Sequence, residues 1–188
     1  MWASSATARG RAASRNAPVP AAIAHRIEPA EEDVSGLERF IAEWTRHDRY
    51  DRFGSQNEAV SRWLIGRFRS GSQRGLVASA GGEIIALLDV AQSGRVSEVG
   101  LFVARGCRRA GVGRALLRRL IEQRESRGPL VAECRHENQP AMSFLAACGF
   151  SVVFADGGET RWILCGRAPD ATTPRRDPGT VLRLVGFE

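Results

Sequence analysis

Apolar positions along this chain change rhythm several times, and the order of those changes predicts an architecture. Residues 21–27 read as a short strand and 28–33 as an acidic loop. Val34, Leu37, Ile41 and Trp44 then fall on one helical face, with Ser35 and Glu38 at capping-box spacing. Ala59, Val60, Trp63, Leu64 and Phe68 form the apolar face of a second helix, and Ser55 with Glu58 repeats the capping pattern. Period-2 runs follow at 76–80 and 83–91, flanking Gly81-Gly82, a two-residue hairpin turn by composition. Gln92-Ser93-Gly94 turns the chain into a third run, 97–103. A helix is predicted over 113–127, with Leu116, Leu117, Leu120 and Ile121 toward the core and Gly128-Pro129 as its stop. A strand at 130–135 and a helix at 138–148 come next, with Gly149 ending that helix. Two strands, 150–155 and 160–166, straddle the turn Asp156-Gly157-Gly158. The order is strand, two helices, three strands, helix, strand, helix, two strands: a mixed α/β (α+β) chain.

Composition narrows the picture. At 188 residues, 43% hydrophobic and 26% charged, the chain has the makings of one globular domain, and no apolar stretch is long enough to span a membrane. All 27 basic residues are Arg, a bias that a GC-rich coding sequence produces by itself, so the net charge of +6 is a weak argument for nucleic-acid binding and none is expected. The four cysteines, Cys107, Cys134, Cys148 and Cys165, lack any C-x-x-C pair or metal-ligand spacing; they read as reduced thiols in a cytoplasmic protein, with no metal. Residues 1–20 are mostly Ala, Ser and Arg and are expected to be a disordered leader, not an export signal. The domain is placed at 21–167. The tail, 168–188, carries one apolar run, 181–185, that can add an edge strand.

The chemistry concentrates between 103 and 117. Gly111 and Gly113 sit where a strand has ended and a helix is about to begin, so backbone N–H groups can converge on an anion without obstruction by Cβ. Arg105, Arg108, Arg109 and Arg114 add positive charge suited to a pyrophosphate. A nucleotide phosphate loop would need Gly-Lys-Ser/Thr, and the chain has no Lys. A dinucleotide-binding fold is set aside as well: its third glycine position is Leu116, and Gly111 lies eight residues beyond Val103.

These residues resemble the GNAT superfamily of acyl-CoA-dependent N-acetyltransferases. The signature reads Arg108-x-x-Gly111-x-Gly113-x-Ala115, with Val103 five residues ahead; a second one reads Asn138, Ala141, Phe144 and Gly149-Phe150. The segment around 133–150 is similar to the ribosomal-protein N-terminal acetyltransferase branch. The resemblance implies a mixed sheet of about seven strands, splayed in the middle, with four helices. It implies acetyl-CoA as cosubstrate, with backbone groups of Leu101, Phe102 and Val103 meeting pantetheine and thioester. The amides of Arg108, Arg109, Ala110, Gly111, Val112, Gly113 and Arg114 would hold the pyrophosphate, and Asn138 would touch the pantetheine or phosphate arm. Asn138 is also a good helix N-cap followed by Pro140.

By the same resemblance Glu133, five residues before Asn138, stands where that branch carries its base, and Glu98 on the preceding strand is the rival. Either carboxylate could instead pair with an Arg such as Arg135. The family's thiol-protonating Tyr, seven residues after the Asn, is replaced by Leu145; the chain's one Tyr is Tyr50, and water, His136, Tyr50 or Cys148 are the substitutes. Residues 28–58 hold nine acids and four Arg, a net of −5, which suits a cationic amine acceptor: an aminoglycoside-like antibiotic, a polyamine, an amino-acid derivative or a protein N-terminus. Trp44, Tyr50, Phe53 and Trp63 are candidates for its walls, or for core. The family also accommodates a homodimer. A non-catalytic acyl-CoA-binding or nucleic-acid-binding module is the competing reading.

Overall fold

The computed structural model describes residues 22–124 and 128–164. Antiparallel neighbours build most of the sheet. Strand β1 (Arg26–Pro29) pairs with β2 (Arg74–Ala80), which pairs with β3 (Glu83–Ser93) and then β4 (Val96–Val103). At the other end β5 (Leu130–Arg135) pairs with β7 (Glu159–Leu164), and β7 with β6 (Ser151–Asp156). The seven strands run in the order β1-β2-β3-β4-β5-β7-β6. The two halves meet where β4 and β5 lie parallel, and there the register holds only Ser97 opposite Leu130 and Glu98 opposite Val131. Beyond those residues the two strands part, which is the splay the sequence predicts.

Helices cover both faces. Helices α1 (Val34–Ala42) and α3 (Ala59–Arg69) bury Leu37, Phe40, Ile41, Leu64 and Phe68 against Val77 and Leu87. Helix α4 (Val112–Gln123) buries Val112, Leu116 and Leu117 on the opposite face, over Leu76, Ala78, Ala86 and Leu88. Helix α5 (Gln139–Ala147) adds Leu145 to that second core, beside Leu130, Ala132 and Trp162. Leu37, Ile41, Leu64 and Leu116 are fully buried, worth about 1.5–3 kcal/mol each relative to exposure.

Among the described residues five α-helices stand where four are expected. The additional one, α2 (Arg46–Phe53), escapes a hydrophobic-period search because it is almost wholly polar. It is held by its ends: Thr45 and Asp48 form a reciprocal capping box, and Gly54 closes it with φ of 67°. Both expected capping boxes are displaced. The α1 cap is Asp33, which accepts from the Gly36 amide at 2.7 Å, so Ser35 lies inside the helix. At α3 the Asn57 carboxamide oxygen accepts from the Ala59 amide, and Glu58 caps nothing. Strand β1 starts at Arg26 and not at 21, because its partner β2 ends at Ala80 and offers no ladder further back. Ile121 lies outside the core at 38% exposure, and α4 ends at Gln123, Arg124 being extended. The leader at 1–20, the end of the predicted helix at 125–127, Cys165 and the tail at 168–188 lie outside the described residues.

Candidate functional site

Backbone direction assigns the groups that line the splay. The Ser97 amide donates to Pro129 O at 3.1 Å, so it points toward β5. Alternation along β4 then puts the amides of Leu101 and Val103 on that edge, beyond the last paired residue, and turns Phe102 toward Leu87 of β3. The Ala104 amide, donating to Ile85 O at 2.9 Å, confirms the phase. Of the three residues 101–103, two therefore present donors to the wedge. Phe102 contributes its ring elsewhere, packed 4.5 Å from Trp44.

The loop from β4 to α4 holds its turn in a costly backbone. Arg109 has φ of 62° and Gly111, the residue before α4, has φ of 85°. No side chain caps the start of α4, so its first amides face outward at the positive end of the helix. A Cβ at Gly111 would meet nothing within 4 Å, whereas one at Gly113 would lie 3.1 Å from the Leu101 side chain, near Phe144 and Val103. Gly111 thus shapes an open cradle, and Gly113 lets α4 lie close on β4. Donors converging at a helix start fit a pyrophosphate.

The arginines of this loop divide into two groups. Arg105 and Arg108 turn to α2: their Nη2 atoms lie 3.5 and 3.3 Å from the Asp48 carboxylate. Arg108 also donates from Nε to Val103 O at 2.9 Å, and its guanidinium lies 5.6 Å over the Phe102 ring. Arg109 and Arg114 stay exposed and pair with no carboxylate among the described residues, Arg114 bonding to the Cys148 thiol. Burial pushes the Asp48 carboxyl up, but the hydrogen bonds from Thr45 and the charges of Arg105 and Arg108 outweigh it and hold the group below its ordinary value. Asn138 caps α5, accepting from the Ala141 amide at 3.1 Å.

A second set gathers on the face of the splay that α2 covers. Glu98 of β4 and Glu133 of β5 are close enough for each charge to oppose the other. Glu133 is bound by Arg161 through one carboxylate oxygen, which accepts from Nε at 2.6 Å and also from Nη2. Glu98 makes no such pair; burial first, then repulsion from Glu133, raises its carboxyl above the ordinary value. Tyr50 of α2 lies here too, with the Arg135 guanidinium 4.5 Å from its ring. Arg52 of α2 crosses Gly100, where any Cβ would collide with its guanidinium, and reaches Asp89 of β3 at 2.8 and 2.9 Å. Gln73 completes the shell of Asp89 at 3.2 Å.

Several sequence-predicted residues fall elsewhere. Leu145 is core. His136 is exposed past the end of β5, and Cys148 lies beside Arg114, its thiol pushed up by burial. Trp44, Phe53 and Trp63 form a packed aromatic series with Phe40 and Phe102, leaving Tyr50 as the one aromatic of the four at the site. Many acids of 28–58 are spent in pairs: Glu28 with Arg26, Glu38 with Arg69, Asp51 with His47, Asp48 with two arginines. Sequence reasoning passed over Asp48, Arg52 and Arg161; the Thr45–Asp48 spacing and Gly54 were the available signal for the helix carrying the first two.

The model of the acetyltransferase (GNAT) family matches residues 38–150, more than half of the chain. No curated protein matches in sequence. Among solved structures, the GNAT domain of S. lividans PAT is 23% identical with a TM-score of 0.66, over 74% of this chain and 89% of that one. Ribosomal-protein-alanine N-acetyltransferase from Brucella melitensis is 22% identical with a TM-score of 0.58, over 74% and 99%. The N-acetyltransferase PseH of Campylobacter jejuni, in complex with acetyl coenzyme A, is 17% identical with a TM-score of 0.56, over 76% and 99%. At these identities the likeness is one of fold.

Proposed function

This chain belongs to the GNAT acetyltransferase family, and on that premise we propose that it transfers an acetyl group from acetyl-CoA to a primary amine. The observation that carries the reading is the splay itself: unpaired β4 amides and the uncapped α4 turn on one side, and a pair of carboxylates on the other. Acetyl-CoA supplies an activated thioester. The turn 109–114 would bind its pyrophosphate, and the Leu101 and Val103 amides would meet the pantetheine and polarise the thioester carbonyl.

Glu98 is the better base of the two carboxylates. Its raised pKa lets it accept a proton from an ammonium with less loss of driving force, and the arginines that act on it, Arg52 and Arg161, are bonded to Asp89 and Glu133 instead. Glu133, beside Glu98, is engaged by Arg161 and would help to hold the amine in place. Once the amine is neutral, its nitrogen forms the new C–N bond as the C–S bond breaks; the nitrogen then sheds its second proton, which replaces the one that the departing thiolate takes up. Tyr50 shares the face of Glu98 and Glu133, which favours it over His136 and Cys148 as that donor. Free-thiol release from acetyl-CoA, measured over a panel of polyamines, aminoglycosides, amino-acid derivatives and peptide N-termini, tests the reading. Amine-dependent release supports it. CoA binding without release with any amine would favour a binding module.

A further inference from the structure

Arg49 is a buried cation without a carboxylate. It is 7% exposed, yet its partners are two main-chain oxygens: Nε donates to Gln56 O at 3.1 Å and Nη1 to Trp44 O at 2.5 Å. Among the described residues no Asp or Glu pairs with it, and its Nη2 has no partner within the protein although it is not sealed from solvent. Arg52 and Arg135, whose side chains are more exposed, each have a carboxylate: Arg52 has Asp89 and Arg135 has Glu137. A buried guanidinium without a counter-charge is costly, and a ligand that brings one offsets that cost.

The surroundings of Arg49 supply the rest of a site. It lines an open cleft of about 420 Å³ between α2 and α3, together with Arg46, Arg62, Gln56, Asn57 and Glu58. Three guanidiniums face one carboxylate there, a net of +2. That carboxylate, Glu58, lies 3.9 Å from Arg62 with both side chains over 70% exposed, a pair that solvent screens to little value. Asn57 spends its carboxamide oxygen on the α3 cap, which leaves its NH2 as a donor. The two main-chain bonds fix the plane of Arg49, so its remaining N–H groups are set in advance and not free to retract.

We propose that this cleft is an oxyanion site, distinct from the turn before α4, that takes a phosphate or carboxylate group carried on a small organic molecule. The three guanidiniums are spread over an open hollow, wider than a single inorganic ion covers. The carboxylate and phosphate sources share the chemistry of a fork of guanidinium N–H groups on paired oxygens.

Calorimetry on the full chain, saturated with CoA so that the α4 turn is occupied, tests this. Inorganic phosphate and succinate are titrated separately against a sodium chloride control of equal ionic strength. Binding of phosphate alone, succinate alone or both supports the site and tells which group it prefers. Arg46→Gln and Arg62→Gln, at exposed positions, should each weaken binding several-fold while thiol release is unchanged, and Arg49→Met should abolish it. If Arg49→Met fails to fold, the double Arg46→Gln/Arg62→Gln variant decides. Heats no larger than the chloride control, affinity unmoved in the double variant, or binding seen only without CoA would each overturn the proposal. The binding outcomes require only that CoA occupies the α4 turn; acetyl transfer itself is judged separately by thiol release, so the two can fail independently.

Discussion

Gly111→Val separates the fold of the cofactor turn from its use. Gly111 sits at φ 85°, ψ −7°, where an L-residue strains by about 1–2 kcal/mol, the β-branched ones most. A Cβ there meets no atom within 4 Å, so no packing penalty is added and the loss of stability should stay near that strain. Cofactor binding should suffer more. The new side chain occupies the open cradle and shifts the amides of 111–113, and each charge-assisted hydrogen bond lost to a phosphate oxygen costs about 1.5–3 kcal/mol. Two such bonds amount to at least about 100-fold in Kd. Gly94→Val is the matched control: its φ is 59° and it too has open space, but it lies at the opposite end of β4. Urea denaturation should show similar small losses for both variants, and calorimetry with CoA should show weakened binding only for Gly111→Val. Affinity within about threefold of the parent chain would refute the cradle argument.

The carboxylates give a second test. Glu98→Gln should lower turnover by roughly 10²–10⁴-fold with CoA affinity kept, and remove the acid limb of the rate profile, whereas Glu133→Gln should cost less; the reverse ranking would return the base to Glu133. Because the Glu98 pKa is raised in the folded chain, its contribution is fully present below 4.5 and lost as pH rises through the folded value, so Glu98→Gln should stabilise the protein at neutral pH and stop doing so in acid. Asp48 has the opposite sign: its stabilisation is present above 3.8 and lost as pH falls through its lowered value. Asp48→Asn should therefore destabilise at neutral pH by about 1.5–3 kcal/mol, with the gap closing in acid melts. Gly100→Ala must displace the Arg52 guanidinium and strip Asp89, itself 8% exposed, of its cation. With Gln73 still bound to Asp89, a loss of about 2–4 kcal/mol in urea denaturation is expected, and a loss under 1 kcal/mol would mean that Arg52 is not required there.

The sheet and the glycine turn before α4 were legible because their signals are local. Gly81-Gly82 closes a hairpin by itself, and the alternation in β3 and β4 needs no knowledge of the partner strand. The Arg108–Gly113 spacing likewise lies within one turn of chain. Helix α2 was not legible by the same means, since its polar sequence is stabilised by caps and by charges from distant elements: Arg105 and Arg108 on Asp48, Arg135 on Tyr50, Asp89 on Arg52. The resemblance put Glu133 ahead of Glu98 as candidate base, and local sequence says nothing of the partners that distinguish them. What separates them is Arg161, which is 28 residues from Glu133 in sequence and opposite it across the β5–β7 ladder. Charge counting over 28–58 is incomplete for a related reason: a net of −5 counts groups, and the fold decides which of them are held in pairs.

Asp48 joins helix α2 to two arginines of the turn that precedes α4, and that link runs in both directions. A polyanion arriving at the turn competes with Asp48 for Arg105 and Arg108; whatever it gains from them, α2 loses. Thermodynamic reciprocity then requires that an amine that steadies α2 in its present place lowers CoA affinity by the same factor. The two substrates would antagonise each other mildly at the binding step, and release of CoA would be assisted by whatever restores the helix. Amide exchange in α2 reads the exchange of partners directly: it should quicken when CoA binds and slow again when CoA leaves.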